Sequence, residues 1–447
     1  MTRSTKRSDG ADGADRAERA DRSNPVDQKP EDADDLLDRA RVPRGWRLVL
    51  IVGGLTIFGP LCIDMYLPAL PRISADLHAS TSAVQLSVTG CLVGIALGQL
   101  VIGPISDRKG RRRPLFVGLS LFIVSSVACS AASSVFVLDG FRFVQGVGGA
   151  AGVVISRAIV RDLFEGPTAA RFFSTLMLVT GLGPIIAPQI GALILRFTSW
   201  RGIFLALAIA GSVLLAVSFL KVPETLPMSR RHSGGLRSIV RTMVEVGRDP
   251  TFVGYAIVVM LGFGAILAYI AGSSFILQGI YGISPQLFGT IFGINAAGMV
   301  VGAQINGHFV HRLGSGPLLS IGLTCMSMGS LLFLVAVSTN WGGLVVILPS
   351  FFLVLFGLGF VTPNATALAL QNHSASAGAA SALMGSAQFL FGAALAPLAG
   401  IGGNHDALPM AILMMSLAGG AAAVRVALVR VRPTSAASLQ PAPVSHG

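Results

Sequence analysis

Residues Leu48–Leu70 read LVLIVGGLTIFGPLCIDMYLPAL. As a helix this stretch is about 34 Å long, enough to cross the roughly 30 Å hydrocarbon core of a bilayer. One acid, Asp64, interrupts it. Placing a charge at mid-membrane costs from about 2.5 to more than 10 kcal/mol. A carboxyl group kept there is therefore protonated, paired, or turned toward a water-filled cavity. All three states suit a group that carries protons. The other reading puts Asp64 at the helix end, just before Pro68, wetted by lipid headgroups.

Working outward, apolar stretches of similar length recur near 47–70, 83–105, 115–134, 136–160, 172–196, 201–221, 252–278, 286–310, 317–338, 342–370, 376–401 and 408–428. Hydrophobic residues make up 52% of the chain and charged residues 12%, against roughly 25% charged in soluble domains. The periodicity is helical and lacks the alternation of a porin strand. An all-α integral membrane protein with twelve transmembrane helices follows.

The net charge of +12 raises the question of nucleic acid, and its distribution excludes it. Residues 1–40 hold eight Lys/Arg and eleven Asp/Glu, leaving 25 basic and ten acidic residues elsewhere. Of the 25, we place 21 in the termini and the even-to-odd loops, three (Arg72, Arg196, Arg201) on the opposite side, and Arg142 within a helix. This asymmetry is the positive-inside pattern, so both termini are expected in the cytoplasm. The basic excess faces membrane lipids. No cleavable signal peptide is expected, because the first apolar run starts late, behind a polar tail. Cys62, Cys91, Cys129 and Cys325 lie in apolar segments without paired spacing and read as small buried hydrophobes. No metal site or cofactor is expected.

The chain divides into a polar, disordered tail (1–43), a six-helix bundle (44–221), a linker (222–250), a second six-helix bundle (251–430) and a second polar tail (431–447). In the linker, Leu236, Ile239, Val240, Met243, Val244 and Gly247 form a helical stripe. It reads either as a helix lying in the membrane interface or as a plain basic linker. The two halves echo each other. Gly103, Arg108 and Gly110 in GPISDRKGRRRP map onto Gly307, Arg312 and Gly314 in GHFVHRLGSGPL at a constant offset of 204, with His311 in place of Asp107. Such repeats imply two pseudo-symmetric bundles with a site between them.

Four segments carry chemistry. Gly103–Arg113 reads as a short loop in which Gly103 and Gly110 permit a tight reversal. Asp107 there accepts hydrogen bonds, and Arg108, Arg111 and their neighbours hold the loop at the cytoplasmic face. Arg142, in RFVQGVGGAAG, cannot shed its proton and needs an acceptor. It faces Asp64, directly or through Gln145, or pairs with Asp139, or snorkels to the outer interface. In GLGPIIAPQIG (Gly181–Gly191) two prolines four residues apart bend a helix whose small residues allow close packing. Finally, the polar residues Gln278, Asn295, Gln304, Asn306, Asn364 and Gln388 either line a cavity or hydrogen-bond neighbouring helices. The aromatics Tyr66, Tyr255, Tyr269 and Phe389 either stack on a ligand or pack. The candidate lining set is Tyr66, Gln145, Tyr269, Asn295, Asn364 and Gln388. There is no G-x-x-x-x-G-K-[ST] phosphate loop and no nucleophile–base pair, so neither direct ATP use nor an enzyme is expected.

Together these segments resemble the major facilitator superfamily over residues 44–430. GPISDRKGRRRP is similar to its loop between helices two and three, and RFVQGVGGAAG to its helix-four arginine motif. IDMYLPALP (Ile63–Pro71), LMLVTGLGPIIAP (Leu176–Pro188), SWRGIF (Ser199–Phe204) and PETLP (Pro223–Pro227) resemble its Bcr/CflA multidrug-resistance group. The resemblance implies proton-driven export of drugs of the bicyclomycin or chloramphenicol type across a bacterial inner membrane, by a monomer whose partners are a small-molecule substrate, protons and lipids. It carries the proton role onto Asp64, the coupling role onto Arg142 and the latch onto Asp107 and Arg108. The antiporter-helix role falls on Gly181, Gly183, Pro184 and Pro188. The chain departs from the group at Gln189–Ala192, where a Gly-Gly pair is usual, which leaves close packing there open. His311 weakens the C-terminal latch. Other readings on the same scaffold are a proton-coupled carrier of a sugar, amino acid or siderophore, and a non-transporting membrane sensor.

Overall fold

The computed structural model describes residues 46–164, 166–231, 236–373, 376–403 and 406–431; both expected polar tails lie outside them, apart from Val431. Among the described residues there is no strand, and twelve helices are long and apolar enough to cross a membrane. The first span runs Trp46–Asp64, breaks at Met65 and Tyr66, and continues as a 3-10 turn Leu67–Ala69 and a short helix Leu70–Asp76. The next five are Thr81–Lys109, Arg112–Ser130, Val135–Leu163, Gly166–Ile194 and Arg201–Lys221. The second set is Pro250–Ser274, Pro285–Leu313, Ser315–Thr339, Gly343–Leu370, Ala377–Leu395 and Leu408–Val431. We call these the first to twelfth spans. The observed ends lie within several residues of the expected ones, apart from the first span, which runs on past its break.

Local sequence explains where the helices begin and end. Ser80 and Ser284 cap the second and eighth spans by accepting from the N–H of Ala83 and Leu287, which satisfies an otherwise orphaned donor. The same two spans end at Gly110 and Gly314, with φ of +87° and +75°, a region glycine enters without steric cost. Each pair is separated by 204 residues. The echo seen at the helix ends in the sequence therefore extends to the helix starts, and both spans are 29 residues long. One expectation is corrected here. Gly103 does not turn the chain, because the second span stays helical to Lys109, and the reversal falls on Gly110 alone.

Within the first bundle the fourth span packs on the second, third and first; within the other, the tenth packs on the ninth, eighth and seventh. The bundles meet chiefly through two helix pairs, second with eleventh and fifth with eighth, which exchange under the 204-residue repeat. Small residues permit this approach, as membrane helices need in the absence of a hydrophobic drive between them. A Cβ at Gly289 would lie 3.0 Å from the Pro188 carbonyl oxygen, and one at Gly293 3.0 Å from that of Ile185. A Cβ at Gly191 would overlap the Met65 carbonyl oxygen. Close packing thus persists through Gln189–Ala192 despite the departure noted in the sequence.

The linker stripe is a helix, Leu236–Val246, placed against the eleventh span. Of the stripe residues Gly247 lies against Leu383 and Val244 is exposed, and Val246 beside them is buried. Part of the stripe therefore packs on protein rather than in the membrane interface.

Candidate functional site

Between the bundles lies a cavity of about 750 Å³. Asp64 stands at its deep end. Its lining runs outward to Asp107, Arg111, Arg161 and Met243 at the span ends on the side of the chain termini, and includes no residue from the opposite ends. The C-terminal wall is largely apolar, with Phe263, Ile266, Ile270, Met299, Leu358 and Phe389, relieved by Ser381, Ser386 and Gln388.

The far side is sealed. Five side-chain hydrogen bonds join the bundles among the described residues, all in the half away from the termini. Gln85 Nε2 donates to the Ala271 carbonyl at 3.0 Å, Ser274 Oγ to that of Leu67 at 2.7 Å and Gln278 Nε2 to that of Pro68 at 3.2 Å. Gln286 Nε2 donates to the Ala192 carbonyl at 2.9 Å and Thr89 Oγ1 to that of Ala393 at 2.9 Å. The break in the first span supplies two of the acceptors. Irregular backbone at membrane depth is tolerated where protein or a cavity satisfies it, and here Ser274 and Gln278 do so.

Asp64 is the last residue of regular helix before that break, 4% exposed, and lines the cavity. It has no hydrogen-bond or ion-pair partner among the described residues. It faces the cavity rather than the outer surface of the bundle.

Arg142 is fully buried and does not reach the cavity. Its Nη1 donates to Gln145 Oε1 at 2.5 Å, and Gln145 Nε2 donates to Ser126 Oγ at 2.7 Å. The Tyr66 ring lies 4.2 Å from the guanidinium carbon, and the Tyr66 hydroxyl is 3.1 Å from Ser87 Oγ. Nε and Nη2 of Arg142, and Oδ1 of Asp139, are buried without partners. Of the pairings open in the sequence, only the contact with Gln145 is made; Arg142 touches neither Asp64 nor Asp139.

The segment Gly103–Arg113 builds an ionic knot within the first bundle. Arg111 Nε and Nη2 donate to the two carboxylate oxygens of Asp162 at 2.7 and 3.1 Å, and Nη1 donates to Asp107 at 2.5 Å and to Ser106 at 2.8 Å. Burial works against the charge on Arg111, but Asp162 and Asp107 outweigh it and hold its pKa above the ordinary arginine value. Glu224 accepts from the backbone N–H of Arg111 at 2.7 Å and of Arg112 at 3.2 Å, capping the third span, and Thr225 donates to Asp162 at 3.2 Å. Asp162 and Glu224 were missed as partners; Glu224 sits in PETLP, quoted only as a family signature. Arg108 is exposed and has no partner among the described residues. In the second half His311 and Arg312 are exposed without partners among the described residues, so no matching knot forms among them.

The antiporter-helix candidates divide. Pro184 lines the cavity, whereas Gly181 faces Val300, Gly183 faces Pro60, and the Pro188 carbonyl abuts Gly289. Of the six candidate lining residues only Gln388 lines the cavity. Tyr66 and Gln145 are consumed by Arg142. Asn295 Nδ2 donates to the Tyr269 hydroxyl at 3.0 Å, and Asn364 Nδ2 donates to Asn306 Oδ1 at 2.5 Å. Polar groups buried between membrane helices satisfy one another, which is why these pairs are withdrawn from the cavity. Conversely Arg157, counted with the loop cations in the sequence, lies inside the fourth span and lines the cavity. Cys62 and Cys91, without sequence spacing to link them, are buried with their Sγ atoms 3.4 Å apart.

The Major Facilitator Superfamily model matches residues 52–397. The chain belongs to that superfamily. It is 40% identical to the uncharacterized MFS-type transporter YdgK of Bacillus subtilis over 82% of this chain and 91% of that protein. It is 31% identical to the bicyclomycin resistance protein homolog of Haemophilus influenzae, over 82% and 92%, and 30% identical to the multidrug resistance protein MdtL of Escherichia coli, over 76% and 85%. These relatives place it in the multidrug efflux group of the superfamily, among transporters rather than enzymes. Its fold matches a crystal structure of the peptide transporter POT with a TM-score of 0.72 at 13% identity, over 90% of this chain and 98% of that one. It also matches the partially occluded inward-open xylose transporter XylE of E. coli, with a TM-score of 0.65 at 17% identity, over 87% and 97%. As a member of the superfamily it is a multi-pass membrane transporter.

Proposed function

We propose that this protein exports amphipathic, drug-like molecules of the bicyclomycin or chloramphenicol type from the bacterial cytoplasm in exchange for protons, by alternating access. The observation that carries this reading is Asp64, an unpartnered carboxyl group lining the cavity between the bundles at the break in the first span. The termini and the cavity mouth face the cytoplasm, consistent with the arginines clustered there, and the seal faces outward. Substrate enters from the cytoplasm and settles on deprotonated Asp64 and the apolar wall. The bundles rock, the seal parts, substrate leaves, and protonation of Asp64 from outside neutralises a charge that is costly at that depth and permits return. Arg142 holds the break in place through Tyr66 and Gln145 while Asp64 changes charge. Each unit charge crossing the membrane gains about 2.3 kcal/mol per 100 mV, enough to drive more than a tenfold gradient per net proton.

The test is proton release from proteoliposomes challenged with substrate. Wild-type protein releases protons with drug uptake; Asp64→Asn does neither while inserting normally. Drug-coupled proton movement at wild-type rates in that variant defeats the assignment. Proton movement driven only by sugars, amino acids or siderophores turns the reading to a metabolite carrier.

A further inference from the structure

We propose that Arg157 is an anion-binding specificity residue of the cavity, and that the substrates held best are amphoteric: a basic group toward Asp64, an acidic group toward Arg157, an apolar body between. The proposal rests on the export reading above and narrows its substrate class.

Two acids line the cavity, Asp64 and Asp107, and three bases, Arg111, Arg157 and Arg161. Asp107 is taken by Arg111 and lies 3.8 Å from Arg161. Arg111 is also held by both oxygens of Asp162. That leaves one acid and one base, Asp64 and Arg157, with no partner among the described residues.

They are too far apart to neutralise each other. The Thr56 hydroxyl donates to Ser156 Oγ at 2.8 Å, which fixes the register of the antiparallel first and fourth spans. From that contact Asp64 lies eight residues farther toward the seal and Arg157 one residue farther toward the mouth. Nine helical residues correspond to about 14 Å along the axis. A cavity of about 750 Å³ falls within the usual size range for drug-sized ligands, roughly 300–1,000 Å³. A molecule lying along it meets an acceptor at one end and a planar five-donor cation at the other, with Phe263, Ile266 and Phe389 beside its body.

Position argues against a purely topological arginine. Arginines that set orientation sit at helix ends or reach the interface along their own stems. Arg157 precedes the end of its helix, Leu163, by six residues, about 9 Å, and its side chain opens into the cavity. Arg157 is exposed to that cavity rather than packed in protein, so its guanidinium is open to a ligand acid and meets it with charge-assisted hydrogen bonds.

The experiment is equilibrium exchange of radiolabelled compounds by the full chain in proteoliposomes with a protonophore present, so that neither proton coupling nor transport direction enters. The probes are a zwitterionic fluoroquinolone, bearing a carboxylate and an amine, and tetraphenylphosphonium, a lipophilic cation with no acid. In Arg157→Gln the KM for the fluoroquinolone is expected to rise about tenfold or more, as for loss of one charge-assisted contact, with the KM for tetraphenylphosphonium unchanged or lower. Arg157→Lys, which keeps the charge, should restore most of the fluoroquinolone affinity. Equal changes for both probes, or for neither, overturn the assignment, as does a wild-type protein that exchanges only the cation. A wild-type protein that exchanges neither compound overturns the multidrug reading with it.

Discussion

The Tyr66 ring stacks on the Arg142 guanidinium at 4.2 Å, two residues after Asp64 in the same broken stretch of the first span. The fixed cation and the titratable acid are thus linked through backbone rather than through a salt bridge. A desolvated cation–π contact contributes about 2 kcal/mol. Tyr66→Phe, which keeps the ring and loses only the contact with Ser87, should leave transport near wild type. Tyr66→Ala should lower the thermal midpoint of the detergent-solubilised protein and cut proton-driven efflux about tenfold, roughly 1.4 kcal/mol. Equal behaviour of the two variants in thermal melts and efflux assays would remove the stacking from the mechanism.

Asp64→Asn replaces a buried, unpartnered carboxyl group with a neutral group of the same shape. Loss of coupling should therefore come without loss of stability, with a midpoint equal to or above that of wild type. Differential scanning fluorimetry beside the proton-release assay separates the two effects.

Arg111 and Arg108 belong to one basic run and should behave in opposite ways. Arg111→Ala leaves the buried Asp162 without its cation, a loss of about 3–5 kcal/mol for a broken buried pair. Arg108→Ala should change stability by less than about 0.5 kcal/mol, as expected at an exposed site. Denaturation midpoints of the two variants check this.

Gly191→Ala pushes a methyl group into the Met65 carbonyl beside the break, an overpacking cost of about 1–3 kcal/mol. Gly385→Ala, on the cavity-lining eleventh span, meets nothing within 4 Å and should fold normally. Expression level and monodispersity on gel filtration are the readouts.

Asp249 lies just ahead of the seventh span, where its carboxylate accepts from the Thr251 N–H and lies 2.9 Å from His373 Nε2. Burial pulls its pKa upward, but the Thr251 and His373 contacts prevail and hold it below the usual carboxylate value. A depressed folded-state pKa contributes stability that is present above the unfolded value, about 3.9, and is lost as pH falls through the folded one. Wild type should exceed Asp249→Asn in stability at neutral pH, with the gap closing below about pH 4. A gap independent of pH in melts across that range would count against the charge.

The twelve spans, the two-bundle repeat and the burial of Asp64 follow from composition, periodicity and one acid in an apolar run, because a bilayer leaves helices few alternatives. Partner choice between helices was less accessible. Asn295, Asn306 and Asn364 read in sequence either as cavity polars or as partners of neighbouring helices; only packing reveals that Asn295 binds Tyr269 and Asn306 binds Asn364. Arg157 was hidden by the opposite error, since six residues from a helix end is within the uncertainty of a span boundary. Cys62 and Cys91 meet across two helices with no local signal at all.

The seal away from the chain termini has a further property. Each of the five side-chain hydrogen bonds found there among the described residues ends on a main-chain carbonyl, an acceptor no point mutation can delete and no proton or salt can titrate or screen. Amino-acid replacement removes these bonds only from the donor side, at Gln85, Thr89, Ser274, Gln278 and Gln286. Ionic strength should leave them untouched, while at the other face salt screens the exposed Arg161–Asp107 contact, so salt acts on one door of this molecule and not on the other.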